Sequence, residues 1–175
     1  MRYRLVALSG PAGVGKSTLA QGLVDTGEWV AMGWMDPVRD ALVALGVPRD
    51  ALVDRARKDS PLGGRWGDLT PRQLMVSLGD WGRAQRQDLW ALAALDRAAR
   101  AAPMGVVLHD TRLDLEASAV RLAGGLVVHL ESSAVPWSGG HLTESGVCVG
   151  LGDVVIRTDQ PYLQSLGQLA RAVRG

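Results

Sequence analysis

At 175 residues and a formal net charge of +1, with 19 basic side chains against 18 acidic, the chain has no global basic surface of the kind that holds nucleic acid by charge. The length suits one domain, 1–175, whose core needs neither disulfides nor structural metal, and the lone Cys148 excludes an intrachain disulfide and a thiolate zinc cluster. No apolar run reaches the roughly 20 residues that span a bilayer and the first residues enter a strand, so the expected setting is cytoplasmic, with no membrane partner.

A first strand is predicted over 4–8. It runs into LSGPAGVGKST, 8–18, which fits G-x-x-x-x-G-K-[ST], and then into Leu19, Ala20, Leu23 and Val24, spaced for one buried helix face. Strand, loop and helix thus stand in the order a phosphate-binding loop needs. Backbone N–H groups over Gly10, Ala12, Gly13, Val14 and Gly15, continued by Lys16, Ser17 and Thr18, would cradle a polyphosphate at the positive end of the helix dipole. Lys16 would reach the β- and γ-phosphates, and the Ser17 hydroxyl would ligate Mg²⁺.

The next strand is expected within WVAMGWM, 29–35, and Asp36 would cap a helix that begins at Pro37 or face a bound ligand. Residues 46–70 combine charge, glycine and proline and read as a mobile insertion. A helix then starts at Thr70-Pro71 with the capping-box pattern Thr70-x-x-Gln73; Arg72 and Arg83 share one of its faces if it continues through Gly79 and Gly82. The alanine-rich piece 91–102 reads as a helix with Leu89, Leu92 and Leu95 on one side.

Beyond it, MGVVLHD, 104–110, is a buried strand that delivers Asp110 to its C-terminal end, where ligands bind in open α/β sheets. Asp110 suits a Mg²⁺-binding carboxylate, with a turn-capping aspartate as the alternative; Arg112 suits a phosphate clamp or a surface ion pair. A short helix stopped by Gly124 follows, then a strand in GGLVVHL, 124–130. The Ser- and Gly-rich stretch 131–150 is a candidate lid. A last strand in DVVIRT, 153–158, precedes a helix with Leu163, Leu166, Ala170 and Val173 at helical spacing. The expected fold is therefore α/β, of the P-loop NTPase type: a five-stranded, mostly parallel sheet with helices on both faces, plus an insertion and a lid. His109, His129 and Cys148 read as core residues. Trp34, Trp66 and Trp81 read as core filling or as stacking platforms for a base. No N-K-x-D stretch is present to read guanine and the chain is short for a remodelling ATPase, which leaves a small kinase.

At this point the sequence resembles the deoxynucleoside monophosphate kinases of tailed bacteriophages, within the wider nucleoside monophosphate kinase group. SGPAGVGKST is similar to that family's phosphate loop and MDPVRDAL, 35–42, to its Asp-Pro element. TPRQLMVSLGDWGR, 70–83, is similar to [ST]-P-R-x-L-x-x-x-L-G-x-x-W-G-R with one residue fewer after Gly79. LHDTRLDLEASAVRLAGGLVVHL, 108–130, is similar to its D-x-R strand end, acidic helix start and Gly-Gly turn, and HLTESG, 141–146, echoes an H-x-x-E element. The resemblance implies ATP and Mg²⁺ as cofactors and transfer of the γ-phosphoryl to a (deoxy)nucleoside 5′-monophosphate. It implies an acceptor region over about 36–86 and a lid over about 131–150. Lys16, Asp110, Arg83 and Arg112 would be catalytic and Ser17 and Asp110 would hold the metal. Asp36, Arg72, Trp81, Arg83, Arg86, His141 and Glu144 would meet the substrate, and RTDQPY, 157–162, would lie against adenine. One departure stands out: 131–150 holds neither Arg nor Lys, whereas the wider group commonly carries lid arginines. A kinase for a modified base in DNA and a non-catalytic nucleotide-binding regulator are the alternatives, nucleic acid being disfavoured by the balanced charge; dimerisation is left open.

Overall fold

The computed structural model describes residues 4–135 and 147–175. Strands β1 (Leu5–Ser9), β2 (Trp29–Met32), β3 (Gly105–Thr111), β4 (Leu126–Glu131) and β5 (Val154–Arg157) alternate with helices α1 (Lys16–Val24), α2 (Asp36–Ala44), α3 (Arg49–Val53), α4 (Pro71–Gln85), α5 (Leu89–Arg100), α6 (Asp114–Leu122) and α7 (Tyr162–Arg174). The strands lie in the order β2-β3-β1-β4-β5 and every pairing is parallel. The expected five-stranded α/β sheet is present, wholly rather than mostly parallel. Its inner strands are mostly apolar and largely buried, as strands covered on both faces must be, with polar residues chiefly at their ends and His129 within β4.

Two compact units divide the chain: Met1–Trp34 with Leu95–Gly175, and Met35–Ala94. In the first, Val6, Leu8, Leu19, Leu23, Val128, Ile156, Leu169 and Val173 form one buried cluster that binds α1 and α7 to the sheet. The face of α7 is offset from the expected stripe. Leu163 is 77% exposed, while Ser165, Leu169 and Val173 are buried. A serine can occupy that place because its hydroxyl donates to the Arg157 carbonyl at 3.1 Å.

In the second unit, the segment 46–70, expected as a mobile insertion, has secondary structure of its own. Helix α3 and a 3-10 turn over Gly64–Trp66 lie within it. Ala51 and Leu52 are buried, and Leu52 joins Val38, Leu42, Val47 and Met75 in a second core. The charges that obscured this pattern sit outside, as the pairs Arg49–Asp40 and Arg57–Asp50. The segment is also tied to α2: Arg65 donates to the Leu45 carbonyl at 2.8 Å while its guanidinium lies 5.3 Å from the centroid of the Trp66 ring.

Helix α4 opens on the capping box of Thr70 and Gln73 and does continue through both internal glycines. Glycine is required at 82 by packing, since a Cβ there would overlap the Trp90 indole, whose N–H donates to the Gly79 carbonyl at 3.0 Å. Helix α5 buries Ala91, Ala94 and Ala98 instead of the expected leucine face, and Leu92 is exposed. Small side chains allow closer approach than leucines would. Strand β2 stops at Met32, three residues short of the expected stretch.

Candidate active site

In a parallel sheet all strand C-termini share one edge. The connection from β1 leads toward β2 on one side and that from β4 toward β5 on the other, so a crevice opens between the ends of β1 and β4. Residues 10–15 rise there. Gly10 has φ 146° and passes so close to β4 that a Cβ would sit 2.6 Å from the Leu130 carbonyl oxygen; Gly15, at φ 102°, turns the chain into α1. No side chain caps α1, so the leading N–H groups of its first turn are left for an anion. Val14 is buried and anchors the loop in the core below, while Ala12, Gly13, Ser17 and Thr18 are exposed along its rim.

Lys16 folds back over this loop, its ammonium donating to the carbonyls of Gly10 at 2.6 Å and Pro11 at 2.7 Å. Burial and the nearby Arg112 guanidinium lower its pKa to about 8, and the Asp110 carboxylate opposes them. Those influences place lysine, aspartate and arginine in one electrostatic neighbourhood. Asp110 lies at the end of β3, where its Oδ1 accepts the backbone N–H of Trp34 at 3.0 Å. Trp34 is buried, 3% exposed, and its indole donates to the buried Thr111 hydroxyl at 3.0 Å.

Two residues after Asp110, the backbone of Arg112 meets a carboxylate that sequence reasoning did not single out. Glu116 Oε2 accepts the N–H of Arg112 at 2.8 Å and that of Leu113 at 3.1 Å. Burial pushes the Glu116 carboxyl up to about 7, helped by Asp110 and opposed by the two N–H groups and Arg112. Its signal in the sequence was the acidic start of α6.

Beside the loop, a cavity of about 170 Å³ is lined by Val14, Gly15, Thr18, Gln160, Tyr162 and Ser165, among others. A larger one of about 510 Å³ is lined by Pro11, Glu131, Ser132, Ser133, Val135, Arg157 and Asp159. Asp159 shapes it by accepting the Ser132 hydroxyl at 2.6 Å and the Ser133 N–H at 3.0 Å.

In the second unit, Asp36 is the first residue of α2 rather than its cap, and its carboxylate pairs with Arg39 at 2.6 Å. Arg39 was not anticipated. Its side chain is 17% exposed and its Nε is buried with no hydrogen-bond partner among the described residues. Arg72, Arg83 and Arg86 are exposed and paired with Asp59, Asp80 and Asp88 respectively. Trp81 is 57% exposed, so it fills no core. His141 and Glu144 lie outside the described residues.

His129 is a satisfied core residue. It donates to Asp153 Oδ2 at 2.8 Å, and the same carboxylate receives the Arg121 fork and the Gly150 N–H. His109 is half-buried, and Cys148, expected inside, is exposed. Cys148 is held by its main chain instead, donating to Asp114 and accepting from Arg121.

The parallel sheet and the loop at its crevice make the chain an α/β protein of the P-loop class. No family model matches the sequence, and no curated protein matches it. Among solved structures it is similar to a gluconokinase from Sinorhizobium meliloti 1021, with 17% identity over 99% of this chain and 91% of that one and a TM-score of 0.47. No helix among the described residues is long and apolar enough to cross a membrane.

Proposed function

We propose that the protein is an ATP-dependent kinase that phosphorylates a (deoxy)nucleoside 5′-monophosphate. The observation that carries this reading is that β3 delivers Asp110 and Arg112 beside the start of the phosphate loop, since Thr111 between them pairs with Ser9 of β1, and that both charges act on Lys16. The acceptor class is supported by the resemblance of 35–42 and 70–83. In the reaction an oxygen of the acceptor phosphate attacks the γ-phosphorus, the bond to the β–γ bridging oxygen breaks, and ADP leaves.

Lys16 would exchange its two carbonyl partners for the β- and γ-phosphates, and Arg112 would neutralise charge on the transferred group. The Ser17 hydroxyl and the Asp110 carboxylate are hard oxygen donors that fit Mg²⁺. Among the described residues no cluster of three or more His, Cys, Asp or Glu side chains forms a metal cage, so nucleotide phosphates and water would complete the shell. Bound there, the ion would offset charge on the β- and γ-phosphates. The adenosine would lie against Thr18, Gln160 and Tyr162 in the smaller cavity.

The acceptor would be held by Met35–Ala94. Arg83 is assigned to its phosphate, with Arg72 and Arg86 as further cations, and Arg39 joins them because a mostly buried guanidinium with an unused Nε suits an anion. Release of Arg83 from Asp80 is cheap, since exposed pairs contribute about 0–1 kcal/mol. Trp81 would offer its ring to the base, Asp36 a hydrogen bond to sugar or base, and His141 and Glu144 a closing pair.

Purified protein with Mg-ATP and a panel of ribo- and deoxyribonucleoside monophosphates, gluconate and modified-base oligonucleotides tests this reading. Product diphosphate from at least one monophosphate is expected. Transfer to an oligonucleotide or a sugar alone would replace the acceptor, and ATP binding without transfer to anything would make the protein a regulator.

A further inference from the structure

We infer that Glu116 is a positioning residue, which holds the turn carrying Arg112 where it leaves β3 beside the start of the phosphate loop, Thr111 being paired with Ser9, so that the guanidinium meets the triphosphate together with Lys16. This rests on the reading of the loop as an ATP site. An arginine next to a lysine is repelled by it when no anion is bound, and a long exposed side chain gives up rotamer freedom to stay there. Something must therefore fix its root. One Glu116 oxygen does so from the first turn of α6 by accepting two consecutive N–H groups, at 2.8 Å from Arg112 and 3.1 Å from Leu113. The bonds run to the main chain, so they leave the guanidinium for a ligand. In Arg72, Arg83, Arg86 and Arg121, by contrast, a carboxylate takes up the guanidinium itself.

A double-mutant cycle on Mg-ATP affinity, measured by calorimetry on the full chain, tests the inference. Arg112→Met is expected to weaken binding about tenfold and Glu116→Ala by a similar factor. The double variant should be no weaker than Arg112→Met to within about twofold, because Glu116 acts only through Arg112. Glu116→Gln, which keeps one acceptor oxygen for both N–H groups, should return affinity to within about threefold of the parent. If Glu116→Ala does not fold, Glu116→Asp, one methylene too short to reach both groups, takes its place in the cycle. Additive losses near a hundredfold, or full affinity in Glu116→Ala, would overturn the inference. A parent chain that binds Mg-ATP but phosphorylates no monophosphate would remove the acceptor assignment and leave this one standing. One that binds no Mg-ATP would overturn both.

Discussion

Trp34 binds the end of β3 twice: its indole N–H donates to the Thr111 hydroxyl and its backbone N–H donates to Asp110 Oδ1, each at 3.0 Å. One oxygen of the proposed Mg²⁺ carboxylate is thus already oriented by the turn that follows β2. Asp110→Asn preserves that acceptor while removing the charge. Its kcat should fall at least about a hundredfold and its Mg²⁺ requirement should rise, with little change in melting temperature. Unaltered rate and Mg²⁺ dependence would reduce Asp110 to a turn residue.

Lys16→Ala removes the ammonium that donates to Gly10 and Pro11. Lys16 is only half-buried and takes no part in the hydrophobic core, so the fold should persist. Transfer should drop by about three orders of magnitude, the scale set by loss of a charge aimed at the transition state. Near-normal turnover in this variant, assayed at saturating ATP, would sink the kinase reading.

The acceptor arginines can be separated by their surroundings. Arg83→Met gives up an exposed pair with Asp80 and keeps most of the apolar stem, so stability should change by under about 1 kcal/mol. KM for the monophosphate should rise at least about tenfold, with KM for ATP nearly constant. Arg39→Met should produce the same split. Steady-state kinetics that show no monophosphate effect in Arg83→Met, but a large one in Arg39→Met, would move the assignment to α2.

Gly82→Ala gains helix propensity of about 1 kcal/mol and loses more, because its methyl group would overlap the Trp90 ring. A net loss of about 1–2 kcal/mol in urea unfolding is expected. If the variant is as stable as the parent, the Trp90 ring moves aside at little cost and packing does not require glycine at 82.

The Asp153 carboxylate is 2% exposed. Burial alone would raise its pKa, but the Arg121 fork, the Gly150 N–H and His129 outweigh burial and hold it at about 2 instead of 3.8. A depressed acid stabilises the fold above its unfolded pKa. About 2 kcal/mol is therefore present above pH 4 and is lost as pH falls from about 4 toward 2. Asp153→Asn should be less stable at pH 6 and should lack that acid slope. Unfolding free energies measured at several pH values decide it, and an unchanged slope would place the acid-sensitive group elsewhere.

The sheet was legible before folding because parallel strands buried on both faces must be largely apolar, and Leu5–Ser9, Gly105–Thr111 and Leu126–Glu131 each open on such a run. The phosphate loop was legible for a different reason. Its backbone demands glycine at fixed places, and Gly10 and Gly15 indeed adopt angles other residues avoid. Helix α3 was not legible, since its five residues carry only two buried side chains among exposed charges and are stabilised by contacts with α2 and α4.

Local sequence by itself determined the strand–loop–helix that presents Lys16 and Ser17, and the delivery of Asp110 to a strand end, because both follow from short-range backbone geometry and hydrophobic pattern. Only the tertiary structure decided which charges are engaged and which are free to act. Whether an arginine is paired with Asp80, mostly buried beside Asp36, or held by its main chain through Glu116 depends on which elements pack together. Burial and neighbouring charge, which set those ionic states, are properties of the packed fold and have no period in the chain.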